Sequence, residues 1–131
     1  MTGSVDLYDT TYSDLEMAVR QQVRVETYDE DLGQNSWLTA EELRRFLDWL
    51  CLTFHSHVLE VGSGSGGPAL FMAQLTGVRI TGIDVNEHAI AAANKMACDR
   101  DLQAVAHFLR ADAGLPLPFD GQSFDAVICI D

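Results

Sequence analysis

The sequence is short of positive charge: eight Lys and Arg stand against twenty Asp and Glu in 131 residues, a formal net charge of −12. Such an imbalance repels phosphate backbones and anionic membrane surfaces within a Debye length, which argues against nucleic acid or a membrane as a partner. Long apolar runs are missing too. The longest uncharged stretch, Val61 to Val78, is interrupted by six Gly and Pro residues, so no bilayer span is expected. No signal-peptide pattern opens the sequence. Cysteine is scarce: Cys51, Cys98 and Cys129 are odd in number, far apart, and each in or beside an apolar stretch. That predicts buried thiols rather than a disulfide framework and, with no export signal, a cytoplasmic location. Repeats, low-complexity tracts and linkers rich in Pro, Gly or Ser are absent.

What remains has the composition of one globular domain, with 47% apolar and 21% charged residues. Residues 1–36 carry eight acids and two bases on thinly spread apolar positions. Within them Ser13 to Tyr28 reads as an amphipathic helix, with Asp14 and Glu16 near its positive end and Arg20 and Arg24 further along. Asp29 to Trp37 reads as a loop, and its acids Asp29, Glu30 and Asp31 as a solvated face. Thr39-Ala40-Glu41-Glu42 is a capping box opening a second helix, whose Leu43, Phe46, Leu47, Leu50 and Phe54 fall at helical spacing and predict one buried face. We divide the chain into an N-terminal helix and loop segment, 1–38, and an α/β domain, 39–131.

From His57 the pattern becomes strand, glycine loop, helix, strand, helix, strand, loop, strand. The strands expected are Val58–Val61, Arg79–Asp84, Val105–Arg110 and Phe124–Ile130; the helices are Gly67–Leu75, with Pro68 in its first turn, and Glu87–Asp99, capped by Asn86. Ala89, Ala93 and Ala97 give the latter a face of small residues suited to close packing on a sheet. Such alternation calls for a parallel sheet covered by helices.

The most informative segment is Glu60-Val61-Gly62-Ser63-Gly64-Ser65-Gly66-Gly67, because it joins an expected strand to an expected helix. Glycine permits positive φ and close backbone approach, and the helix start offers unpaired N–H groups to a ligand. Gly62, Gly64 and Gly67 satisfy G-x-G-x-x-G, and Asp84, 22 residues past Gly62 at the end of the next strand, is placed to accept hydrogen bonds from ribose hydroxyls. An adenosine-containing ligand is therefore expected, against the plainer reading of a glycine turn that only packs helix on strand. Glu60 narrows the choice. A carboxylate there would repel a dinucleotide's diphosphate, and no Lys or Arg lies between His57 and Arg79 to offset it. A ligand carrying an ammonium and a sulfonium is attracted instead.

On these residues the chain resembles the class I S-adenosylmethionine-dependent methyltransferases over about residues 56–131. Val58 to Gly66 looks like their first motif and Gly82-Ile83-Asp84-Val85-Asn86 like their second. Ala111-Asp112-Ala113, Leu117-Pro118-Phe119 and Ser123-Phe124-Asp125-Ala126-Val127 look like the third running into a fourth strand. The resemblance implies a Rossmann-like, doubly wound parallel sheet of order 3-2-1-4. It implies S-adenosyl-L-methionine as cofactor and S-adenosyl-L-homocysteine as product. The donor would be held by Glu60, Gly62, Ser63, Gly64, Gly66, Asp84, Val85, Asp112 and Ala113, with Asp84 on the ribose, Val85 on adenine, and Asp112 and Ala113 at the adenine amino group. Tyr28 to Thr39 is similar to the N-terminal stretch of small-molecule methyltransferases of the ubiquinone-biosynthesis (methyltransferase type 11) and glycine-betaine groups. That resemblance implies a lid or acceptor role for Tyr28, Gln34, Asn35 and Trp37, while Asp131 would border the acceptor. Trp37 reads equally as a surface residue packed on the next helix. The partner implied is a small-molecule methyl acceptor.

Neither a catalytic base nor a metal site is assigned; His55 and His57 lack further ligands by sequence, and His88 and His107 read as structural. Two other classes stay open, an NAD-dependent oxidoreductase and a non-catalytic donor-binding fragment. The resembled fold has seven strands and this sequence supplies four, so we expect a fragment with an open edge at Phe124–Ile130. That edge is expected either to pair with another copy or to be poorly protected: sedimentation and amide exchange decide, and a dilution-stable monomer with strongly protected amides in that strand would contradict it.

Overall fold

The computed structural model describes residues 18–33 and 36–130. Eight elements follow in order: α1 (Ala18–Tyr28), α2 (Ala40–Leu50), β1 (His57–Val61), α3 (Gly67–Thr76), β2 (Arg79–Asp84), α4 (Glu87–Asp99), β3 (Ala106–Arg110) and β4 (Ala126–Ile128). The start of the first expected helix, residues 13–17, lies outside the described residues, as do Gln34, Asn35 and Asp131. All four strands are parallel in the order β3-β2-β1-β4, as expected for a Rossmann-like sheet. No helix among the described residues is long and apolar enough to cross a membrane.

Local chemistry accounts for the element ends. Thr39 Oγ1 accepts the Glu42 N–H at 3.2 Å while Glu42 Oε2 accepts the Thr39 N–H at 3.0 Å, the reciprocal bonds of a capping box. Asn86 Oδ1 caps α4 through the Ala89 N–H at 3.0 Å, and Pro68 sits in the first turn of α3, where its missing N–H removes nothing. Ala89, Ala93 and Ala97 are all buried, which lets α4 lie close on the sheet. The core joins Leu43 and Leu47 of α2, Leu70 and Met72 of α3, Val58 and Ile80 of the central strands, and Phe108 of β3.

Several expectations are corrected. The cysteines are free, as expected, but Cys51, Cys98 and Cys129 are all exposed: Cys51 ends α2, Cys98 stands on the exposed face of α4 with Ala91, Asn94 and Lys95, and Cys129 lines the open groove beside α2. Only Leu43 and Leu47 of the expected apolar face are buried; Phe46 and Leu50 line a groove of about 420 Å³ between α2 and the β4 segment. Phe54 lies past the end of α2, which stops where Cys51 turns left-handed at φ 50°, and its ring meets His55 with centroids 3.9 Å apart. β4 pairs over Ala126–Ile128 alone, shorter than the expected 124–130, yet its entry is fixed. Asp125 Oδ2 accepts the His57 N–H at 2.7 Å and the Asp125 N–H donates to the His57 carbonyl at 2.8 Å. Nor are the loop acids merely solvated: Glu30 pairs with Arg44 and Asp31 with Arg24.

Two glycines set how tightly the layers meet. A Cβ on Gly82 would strike the Phe108 ring and come within 2.8 Å of Ser63 Cβ; one on Gly66 would lie 2.9 Å from both Ala93 Cβ and Phe108 Cζ. The Phe108 ring therefore rests across bare backbone of β2 and of the loop after β1. We expect Gly82→Ala to destabilise the chain by about 1–3 kcal/mol through overpacking, read as a lower midpoint in urea unfolding.

Candidate functional site

The site is built at the C-terminal ends of β1, β2 and β3, where an open parallel sheet presents its crevice. Between β1 and α3 the backbone takes left-handed φ at Gly62 (69°), Gly64 (54°) and Gly66 (81°), a path L side chains resist. Its fold-back is held by the Ser63 N–H on the Ile83 carbonyl at 2.9 Å and the Gly66 N–H on the Ser63 carbonyl at 3.0 Å. Gly62 faces open space on the side where a Cβ would stand.

Asp84 organises the loop from the neighbouring strand. Its Oδ2 accepts the Gly64 N–H and its Oδ1 the Asn86 N–H, each at 2.9 Å. Each carboxylate oxygen can accept more than one bond, so a ligand hydroxyl can still donate to it. The Asp84 carbonyl accepts the Ala111 N–H at 3.0 Å, which draws the loop carrying Asp112 and Ala113 alongside. There Asp112 is exposed, its Oδ1 accepting the Gly114 N–H at 2.8 Å, and Ala113 and Val85 are exposed beside it.

Glu60 is the electrostatic anomaly. It is 1% exposed in the middle of the sheet, and its Oε2 has no hydrogen-bond partner among the described residues. Burial first, and the Asp84 carboxylate second, push its pKa up to about 8. A buried acid in this state fits a cationic ligand group, whose charge would stabilise the carboxylate form. Ser63 Oγ is also buried with no hydrogen-bond partner among the described residues.

The structure thus gathers Glu60, Gly62, Ser63, Gly64, Gly66, Asp84, Val85, Asp112 and Ala113 at one end of the sheet. Other expected residues lie elsewhere. Tyr28 is half-buried at the end of α1, and Trp37 is 86% exposed, so it neither packs on α2 nor covers the loop in this conformation. No group of three or more metal-ligating side chains occurs among the described residues. The sequence reading missed Gly82, Phe108 and Ser65; an invisible long-range contact makes each matter, and only the glycine inside a strand gave a local signal.

A left-handed glycine loop, an acid buried before it and an acid ending the next strand mark the crevice of this α/β domain. The chain belongs to the methyltransferase domain family, whose sequence model matches residues 58–131. It is 38% identical over 74 residues to a sterol 24-C-methyltransferase of Gibberella zeae, covering 56% of this chain and 19% of that protein. It is 31% identical over 104 residues to the 27-O-demethylrifamycin SV methyltransferase of Amycolatopsis mediterranei, covering 79% of this chain and 38% of that one. Among solved structures, an S-adenosylmethionine-dependent methyltransferase from Thiobacillus denitrificans, in complex with S-adenosyl-L-homocysteine, superposes with a TM-score of 0.66 at 24% identity, covering 82% of this chain and 42% of that one. The [4+2]-cyclase SpnF superposes with a TM-score of 0.60 at 26% identity over 92% of this chain and 47% of that one. The chain spans about a fifth of the length of the sterol methyltransferases it matches.

The raised Glu60 pKa makes stability depend on pH. Below about 4.5 the carboxyl is neutral folded or unfolded; between there and about 8 the unfolded chain ionises it and the fold does not, so its contribution to stability falls as pH rises. Glu60→Gln should remove that decline, leaving the variant relatively more stable by an order of a few kcal/mol near pH 8 than near pH 4, read from urea midpoints across the range.

Proposed function

We infer that this chain is the donor-binding part of an S-adenosyl-L-methionine-dependent methyltransferase that acts on a small molecule in the cytoplasm. The observation that carries the reading is the buried Glu60 carboxyl before the left-handed glycine loop, whose Oε2 has no hydrogen-bond partner among the described residues. When bound, S-adenosylmethionine supplies a methyl group activated by its sulfonium. Glu60 would meet the donor's cationic end, and the loop from Gly62 to Gly66 with Ser63 would let it approach the backbone. Asp84 would take the ribose hydroxyls, Val85 would lie on adenine, and Asp112 and Ala113 would stand at its amino edge. The protein's part in an in-line displacement is to hold the two reactants at contact distance, which needs no base unless the acceptor must lose a proton. Gln34, Asn35, Trp37, Tyr28 and Asp131 are our candidates for the lid and acceptor side.

A small organic acceptor suits the chain better than nucleic acid because its net charge is −12. The apolar groove lined by Leu43, Leu47, Ile128 and Ile130 favours the same class, since it runs to the end of β4. A second reading, a donor-binding chain that does not transfer methyl groups, is favoured by the likeness to a [4+2]-cyclase. An NAD-dependent oxidoreductase is disfavoured by Glu60, which would face a diphosphate.

Calorimetric titration with S-adenosyl-L-homocysteine tests the donor site, with NAD as the control. Binding should release a proton near pH 7, as the ligand's ammonium ionises Glu60, and Glu60→Gln should abolish that release. Asp84→Ala should weaken binding at least about tenfold, as expected for loss of charge-assisted hydrogen bonds. Binding of NAD in place of S-adenosylhomocysteine would overturn the reading. Turnover on small acceptors then separates the transferase from the non-transferring alternative.

A further inference from the structure

Arg24 is the one residue of α1 that is buried, at 7% exposed, on a helix whose neighbouring positions face solvent. A buried guanidinium needs a matched partner, and Asp31 supplies a fork: Nε donates to Oδ1 at 2.6 Å and Nη2 to Oδ2 at 3.3 Å. Asp31 Oδ1 also accepts the Gly33 N–H at 2.8 Å, which helps hold Gly33 at φ 74°. The turn sends the Gly33 carbonyl inward, where it accepts the buried Ser65 hydroxyl at 2.7 Å, inside the glycine loop. Backbone meets backbone there too, since a Cβ on Gly67 would run into the Leu32 carbonyl and lie 2.9 Å from that of Gly33. On the other side Met96 of α4 closes against Gly33, and Leu32 is itself in the core. Residues 31–33 are thus clamped between the loop and α4, and the Arg24–Asp31 pair sets the clamp's geometry.

We propose that Asp31 is a positioning residue for the glycine loop: through Arg24, the Gly33 turn and Ser65, the N-terminal segment fixes the loop's binding conformation. Asp31 itself need not touch the ligand. The same segment holds its own contrast in the Glu30–Arg44 pair, 46% exposed on both sides, which solvent screens and which reaches nothing in the loop.

The test has one arm without ligand and one with it; the second rests on the donor-site reading above. Hydrogen exchange of the ligand-free chain should show the amides of residues 63–67 speeded about tenfold by Asp31→Asn, while those of central β2 stay within about twofold. S-adenosyl-L-homocysteine should bind about tenfold more weakly to Asp31→Asn and to Ser65→Ala, and the double variant should be no more than about threefold weaker than either, because both act through one path. Arg24→Lys keeps the charge but loses the fork, so it should fall between wild type and Asp31→Asn; it also serves if Asp31→Asn does not fold. Arg44→Ala should leave both readouts unchanged. Uniformly faster exchange throughout the sheet, or additive losses in the double variant, would mean a general stability effect and overturn the proposal, as would unchanged loop exchange. A wild-type chain that fails to bind S-adenosylhomocysteine would overturn the functional reading alone, with the exchange arm still deciding for or against the clasp.

Discussion

The chain must turn from the end of β1 into α3 without leaving the sheet's crevice, and the rest of the structure is arranged around that turn. The φ values at Gly62, Gly64 and Gly66 make the path available, and bare backbone at Gly66, Gly67 and Gly82 lets Phe108, Ala93 and the Leu32–Gly33 segment close on it from three sides. Glycine in such positions gives up conformational entropy on folding. Here that cost is offset by packing: Phe108, which would be an ordinary core side chain elsewhere, fills the space that the missing side chains leave.

The charges follow from the same geometry. Glu60 precedes the turn and Asp84 ends the adjoining strand, so sheet register alone brings two acids to one end of neighbouring strands. The loop's N–H at Gly64 compensates Asp84, while Glu60 has no such partner among the described residues and is pushed toward its neutral form. A carboxyl kept in an unfavourable setting lowers stability where a ligand can later benefit from it, a common arrangement in binding sites.

Much of this was legible in the sequence where the controlling interactions are local. The capping box at Thr39, the Asn86 cap and the alanine face of α4 depend on residues three or four apart, and α4 has the span its pattern predicts. The glycine loop and Asp84 were legible because they sit on consecutive strand ends. What escaped depends on contacts distant in sequence. Exposure of Cys51 turns on where α2 stops, and the fate of Phe46 and Leu50 turns on how far β4 extends beside them. Asp31 looked like one of three equivalent acids, and only the return of α1 places Arg24 against it. Gly82 was legible only as part of a motif, and its packing role depends on Phe108, 26 residues further along the chain.

The sheet's two borders are not equivalent. On β3 the Asn94 amide donates to the Phe108 carbonyl at 3.0 Å and accepts the Phe108 N–H at 3.3 Å, so a side chain occupies backbone groups that another strand would need. On β4 the strand borders β1 on one side, and Val127 is 64% exposed. The domain consequently has a built-in direction of growth: whatever strand joins it, from the same polypeptide or another, meets a blocked seam at one border and an accepting one at the other.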